Sequence, residues 1–70
     1  MRDSRLFILQ RNEDASGVSG TGVVAHGICF PDQSVALRWD TATASTAIYA
    51  SIEDVEAIHG HEGRTVVVWV

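Results

Sequence analysis

The sequence lacks most of what usually staples a small protein together. Cysteine occurs once, at Cys29, in 70 residues, so no disulfide can form within the chain, and a reducing, intracellular setting fits best. Proline also occurs once, at Pro31, and lysine is absent. All five basic residues are arginines, Arg2, Arg5, Arg11, Arg38 and Arg64, as a GC-rich coding bias tends to produce. Long apolar runs are missing near the start: Leu6 to Leu9, after a charged N-terminus, is too short for a signal core or a membrane span. The expectation is a cytoplasmic protein without membrane association. Positive charge is scarce, with nine acidic residues against five basic ones and a net charge of −4. A phosphate backbone would repel such a surface unless the arginines converged, which disfavours nucleic acid as a partner.

What is present bounds the architecture. Seventy residues without low-complexity stretches predict a single domain over 1–70. Such a domain hides only about 60% of the surface its unfolded chain exposes. Leu6 to Leu9 has the length and the β-branched and aromatic content of a strand. Asn12 to Gly22 reads as a long surface loop of turn-forming residues. Val23 to Phe30 forms a second strand, with Val24, His26, Ile28 and Phe30 on one face and Val23, Ala25, Gly27 and Cys29 on the other. Gly27 in its middle marks a bulge, a bend or a close approach.

Phe30 to Val35, with its proline, predicts a tight turn into a third strand, Val35 to Trp39, whose core face is Val35, Leu37 and Trp39. Thr46 to Ala50 is a fourth. Ser51 is a helix N-cap, with Glu53 and Asp54 in the first turn, Ile52, Val55 and Ile58 on the apolar side and Gly60 as a left-handed stop. Arg64 to Val70 closes the chain as a fifth strand, apolar on both faces. The predicted fold is mainly β: a small five-stranded SH3-like barrel with one short helix or 3₁₀ segment before the last strand, the main non-barrel alternative being a twisted open sheet with the helix across one face. In the competing oligonucleotide-binding barrel the helix follows the third strand.

Groupings that carry chemistry are thin. His26, Cys29, His59 and His61 are metal-ligand types, but His26 and Cys29 differ by three along a strand and point to opposite faces. No metal or other cofactor is expected. Ser16, Ser19 and Ser34 lie in turns without a histidine or carboxylate at a productive spacing, so no catalytic set is predicted and the chain is read as non-enzymatic. Gly17, Gly20 and Gly22 superficially match a phosphate-binding loop, but they lead into a strand. Trp39, Tyr49 and Trp69 fall at or near strand ends, where they serve either as core filler or as a contact surface. If Val66, Val68 and Val70 point inward, Val67 and Trp69 look outward and ask for cover, by the short helix or by another chain, for which a symmetric dimer is the commonest solution.

The segments Thr21-Gly-Val-Val-Ala-His-Gly27, Phe30-Pro-Asp-Gln33, Val35-Ala-Leu-Arg-Trp39 and Val55-Glu-Ala-Ile-His-Gly-His-Glu-Gly63 resemble a group of small uncharacterised proteins from actinobacteria and their phages. The resemblance runs from about Phe7 to Trp69. Where that group tends to carry Asp-Gly in the hairpin, this chain has Asp32-Gln33, which argues against a positive φ there. The resemblance implies context: a phage or prophage accessory protein that binds a host factor.

The functional expectation is therefore a small interaction module binding a host protein or itself as a homodimer. Its candidate contact residues are Trp69, Val67, Trp39, Tyr49 and Arg38. The alternative is a binder of a small anionic ligand or nucleotide, held by the Gly17 to Gly22 loop with Arg11, Arg38 or Arg64. A nucleic-acid-binding small barrel is a further alternative.

Overall fold

The computed structural model describes residues 3–12, 21–60 and 63–70. Ser16, Gly17, Ser19, Gly20 and His61 lie outside the described residues. Five strands, β1 (Arg5–Arg11), β2 (Gly22–Cys29), β3 (Val35–Trp39), β4 (Thr46–Tyr49) and β5 (Thr65–Trp69), form one sheet, with a helix α1 (Ile52–His59) before the last strand. Every pairing is antiparallel, in the order β4-β3-β2-β1-β5. Helix α1 touches both edge strands, β4 and β5, and so spans the opening between them. The element order and the helix position are those expected for the SH3-like arrangement.

Cross-strand register decides which side chains meet. Phe7 pairs with Gly27 and Trp69, Leu9 with Ala25 and Val67, and Cys29 with Val35. Side chains alternate along a strand, so these residues share the inner face. There Phe7, Leu9, Ala25, Val35, Leu37 and, from α1, Val55 are buried, with Cys29, Trp39, Tyr49, Ile52 and Val67 packed against them. The assigned core face of β3 is therefore correct.

The assigned parity of β5 is not. Val67 and Trp69 face inward, and Val66, Val68 and Val70 face out, 36, 38 and 82% exposed. Three consecutive valines satisfy either parity, so the strand's own period of two cannot choose. Pairing with β1 chooses, because Phe7 and Leu9 place their cross-strand neighbours on the same side.

Of the two glycines assigned a role, Gly27 marks a close approach, made by a side chain, and Gly60 departs from its expected left-handed form. The sheet's irregularity falls between Leu9 and Gln10, whose partners are Ala25 and Val23, leaving Val24 as the extra residue. Gly27 is not bulged; a Cβ there would overlap the Phe7 ring. Gly60 is right-handed, with φ −68° and its N–H donating to Glu56 O, and the positive φ lies at Gly63, +90°.

The helix begins as its sequence requires, with Ser51 Oγ accepting from the Asp54 N–H at 3.3 Å. Ile58, expected on the apolar side, is 59% exposed. Steps of three residues fall short of a full turn, so Ile58 lies about 120° around the helix from Ile52. The inward side is Ile52, Val55 and His59.

In the hairpin between β2 and β3, Gln33 N donates to Phe30 O and Phe30 N to Ser34 O, at 2.9 and 2.8 Å. Gln33 takes a φ of +80°, alone among the described non-glycine residues. This is a turn followed by a left-handed residue, a position glycine usually fills, so the expectation that Gln33 excludes a positive φ is overturned.

Candidate functional site

A concavity lies at one end of the sheet, where the last residue of β1, the first residues of β2 and the exit of β3 converge. It encloses about 420 Å³ and is lined by Arg11, Thr21, Val23, Val24, Trp39, Asp40 and Thr41. Its walls are set by the backbone. Arg11 pairs with Gly22 and with Thr65, which fixes the arginine between two strands. Its Nε donates to Thr65 Oγ1 at 3.4 Å, and Thr65 is buried. The extra residue at Val24 turns that valine into the core and leaves Val23 exposed at the rim. Asp40 N donates to Val24 O at 2.9 Å, and Trp39 N to Ser45 O at 3.0 Å, which anchors the β3 to β4 turn beside β2.

The lining combines one guanidinium, one carboxylate, one indole and the hydroxyls of Thr21 and Thr41, and the carboxylate, Asp40, is turned to His26. Arginine offers a planar fork of donors to a phosphate or carboxylate, and an indole offers a flat apolar face to an aromatic ring. Outside the lining, on the outward face, His26 Nδ1 lies 2.7 Å from the Oδ2 of the cleft-lining Asp40. Both side chains meet solvent, 63 and 36% exposed, so as an ion pair the contact is worth no more than about 1 kcal/mol. Its chemical interest is orientation, since a carboxylate that holds an imidazole is the usual support of a proton-transferring histidine.

A smaller hollow of about 270 Å³ at the opposite end is lined by Arg5, Cys29, Phe30, Gln33 and Trp69 among others. There the Arg5 guanidinium lies 4.2 Å over the Trp69 ring, so cation and ring engage each other. Arg11 and Trp39 at the first cleft have no such mutual contact in the ring pairs described.

The structure distributes the sequence-predicted residues over three places. Trp39 lines the cleft. Its ring also stands edge-on to His59, 4.9 Å between centroids. Tyr49 Oη and His59 Nε2 share a 2.7 Å hydrogen bond, so Trp39, Tyr49 and His59 together pin α1 to β3 and β4. Val67 packs on the core, and Trp69 stands edge-on to Phe7 at 5.4 Å. Arg38 is on the outward face, its Nη1 donating to Thr46 Oγ1 at 3.0 Å.

Sequence reasoning weighed His26 only as a metal ligand and missed its pairing with Asp40. The two are fourteen positions apart, and only the register of β2 with β3 joins them. Of the other metal candidates, Cys29 shares the inner face with Val35 and Tyr49, opposite to His26. No group of three or more potential metal-ligating side chains gathers among the described residues. Nor is any helix among them long and apolar enough to cross a membrane.

No significant match is found among curated proteins or among solved structures. A family model described as Acb5 phage protein matches residues 4–70, nearly the whole length. The chain belongs to the Acb5 phage protein family.

Proposed function

We propose that this phage protein works in the host cytoplasm as a small binding module, and that its ligand is a small anionic molecule with an aromatic ring, of the nucleotide class. The observation that carries this reading is the cleft itself. Its volume of about 420 Å³ lies within the range of ligand sites, and it sets a guanidinium and an indole on one wall system. The cleft is lined by Thr21, which lies next to Gly22 at one end of the segment that the sequence suggested as a ligand loop, and by Arg11, one of the arginines named with it.

Capture of a host protein through Trp69, Val67, Trp39 and Tyr49 was the first expectation. Val67 packs on the core and Trp69 stands against Phe7 while remaining 36% exposed, so Val67 has less to offer a partner, and the cleft carries more of the weight. A second reading, hydrolysis of a bound phosphoester, is favoured by one observation: an imidazole, His26, held by the cleft-lining Asp40. One experiment separates these readings. The protein is incubated with a panel of nucleoside mono-, di- and triphosphates and with inorganic phosphate, while melting temperature and ligand integrity are both followed. A ligand that binds only the folded state raises the melting temperature. A rise with the nucleotide intact supports the binding module, and a product chromatographically distinct from the input supports hydrolysis. No shift and no product across the panel rejects the cleft as a nucleotide site.

A further inference from the structure

The outward face of the sheet has a composition the cleft does not explain. Carrying the register across the strands, Leu6 pairs with Ile28, Ile28 with Ala36 and Ala36 with Ile48. Val70 N donates to Leu6 O, which brings Val70 to the same level. One apolar row therefore crosses the whole width of the sheet. Its ends are well exposed, Leu6 at 56% and Ile48 at 71%, while Ile28 and Ala36 between them are half-buried. Ile8 and Val68, paired with each other, widen the row on the next level.

The charge pattern of this face is as unusual as its greasiness. The protein carries nine acidic residues, yet none of the five strands contains an aspartate or a glutamate. On the outward face the ionisable strand side chains are His26 and Arg38, both on the level next to the row, and Asp40, just past β3, meets His26 there and offsets its charge. Two copies of a chain with a net charge of −4 repel each other over most of their surfaces. The outward face is where they can approach with every strand-borne position free of carboxylate.

We infer that this face is the contact surface between two copies of the chain, packed sheet against sheet about a two-fold axis. The area supports a second copy. Leu6, Ile48, Val66, Val68 and Val70 together expose roughly 500 Å² of apolar surface, at the upper end of what single proteins leave uncovered. With Ile8, Ile28 and the polar rim this approaches the roughly 800 Å² per partner of a standard stable interface. The need supports it too. A chain with one cysteine and seven buried apolar residues among those described has little core of its own, and oligomerisation is a usual remedy at this size. An acidic peptide would draw on Arg38 alone, whereas an uncharged row that crosses every strand is complementary to itself.

The test is sedimentation velocity of the full chain up to about 100 µM, a range that captures micromolar dimers. The wild type is expected at twice the monomer mass. Ile48→Glu and, separately, Leu6→Glu place a carboxylate in the row at already exposed positions. Each is expected to weaken association about a hundredfold, since an unpaired charge is then buried at the contact, with the circular dichroism of the β-sheet kept. Ala57→Glu, on the exposed side of α1, is expected to leave the dimer unchanged. A wild type that stays monomeric overturns the inference and assigns the row to another partner. Folded row variants that dimerise like the wild type overturn it as well. If one row variant loses its β signal, the other decides.

Discussion

The ring of Phe7 occupies the space over Gly27 in which a side chain would begin. Phe7 is 1% exposed and is the largest of the fully buried side chains, and Trp69 stands edge-on to it, so the ring has nowhere to retreat. Gly27→Ala is expected to destabilise the protein by about 1–3 kcal/mol, the usual cost of overpacking a filled core. Chemical denaturation reads this directly as a lower midpoint at unchanged slope.

Gln33 presents the opposite situation. A left-handed backbone costs an ordinary residue about 1–2 kcal/mol, and glycine adopts it freely at some entropic cost in the unfolded chain. Gln33→Gly is expected to stabilise the fold by about 0.5–1 kcal/mol, raising the melting temperature by several degrees. A thermal scan showing a fall would mean that the hairpin does not hold Gln33 at positive φ.

Beside it, the Asp32 carboxylate accepts the Ser34 hydroxyl at 2.6 Å and the Ser34 amide at 2.9 Å. These bonds, the hydroxyl's first, hold its pKa below the ordinary carboxylate value. A pKa depressed in the folded state contributes stability that is present above the unfolded value, near pH 4, and disappears as pH falls through the folded one. Carbon-detected NMR titration is expected to show Asp32 ionising at lower pH than a free aspartate. In Ser34→Ala, which removes the larger cause, it should move back toward the ordinary value.

Tyr49→Phe removes the hydroxyl that meets His59 and leaves the ring in place. The expected loss is about 1 kcal/mol, the net worth of one partly buried hydrogen bond. Because that bond joins β4 to the last turn of α1, hydrogen exchange of the α1 amides should quicken more than that of β1 and β2.

Legibility in the sequence followed how local each signal was. The bounds of β3 were readable to the residue, because Val35, Leu37 and Trp39 alternate with Ala36 and Arg38. The start of α1 was readable from Ser51 and the two acids after it. β1 was read short: Arg5, Gln10 and Arg11 are polar, but they extend the same strand and belong to it by pairing. β5 was recognised as a strand, yet Thr65 to Val70 carries no two-residue contrast, and its parity is dictated by Phe7 and Leu9 on another strand. The cleft was the least legible part. Arg11, Thr21, Trp39 and Thr41 come from separate segments, and no spacing along the chain announces that they meet. Some of its chemistry was nevertheless visible, in the alternative that joined Arg11 to the end of the glycine-rich segment.

The central claim is that Arg11 and Trp39 hold an anionic aromatic ligand. Isothermal titration of adenosine and guanosine monophosphates into the wild type and two variants tests it most directly. Arg11→Gln removes the cation, and Thr41→Glu sets a carboxylate at the exposed lip. The account predicts saturable binding of at least one of the two nucleotides by the wild type, weakened tenfold or more, about 1.4 kcal/mol, in each folded variant. Equal affinity in all three proteins, or no heat from either nucleotide at millimolar concentration, would contradict it.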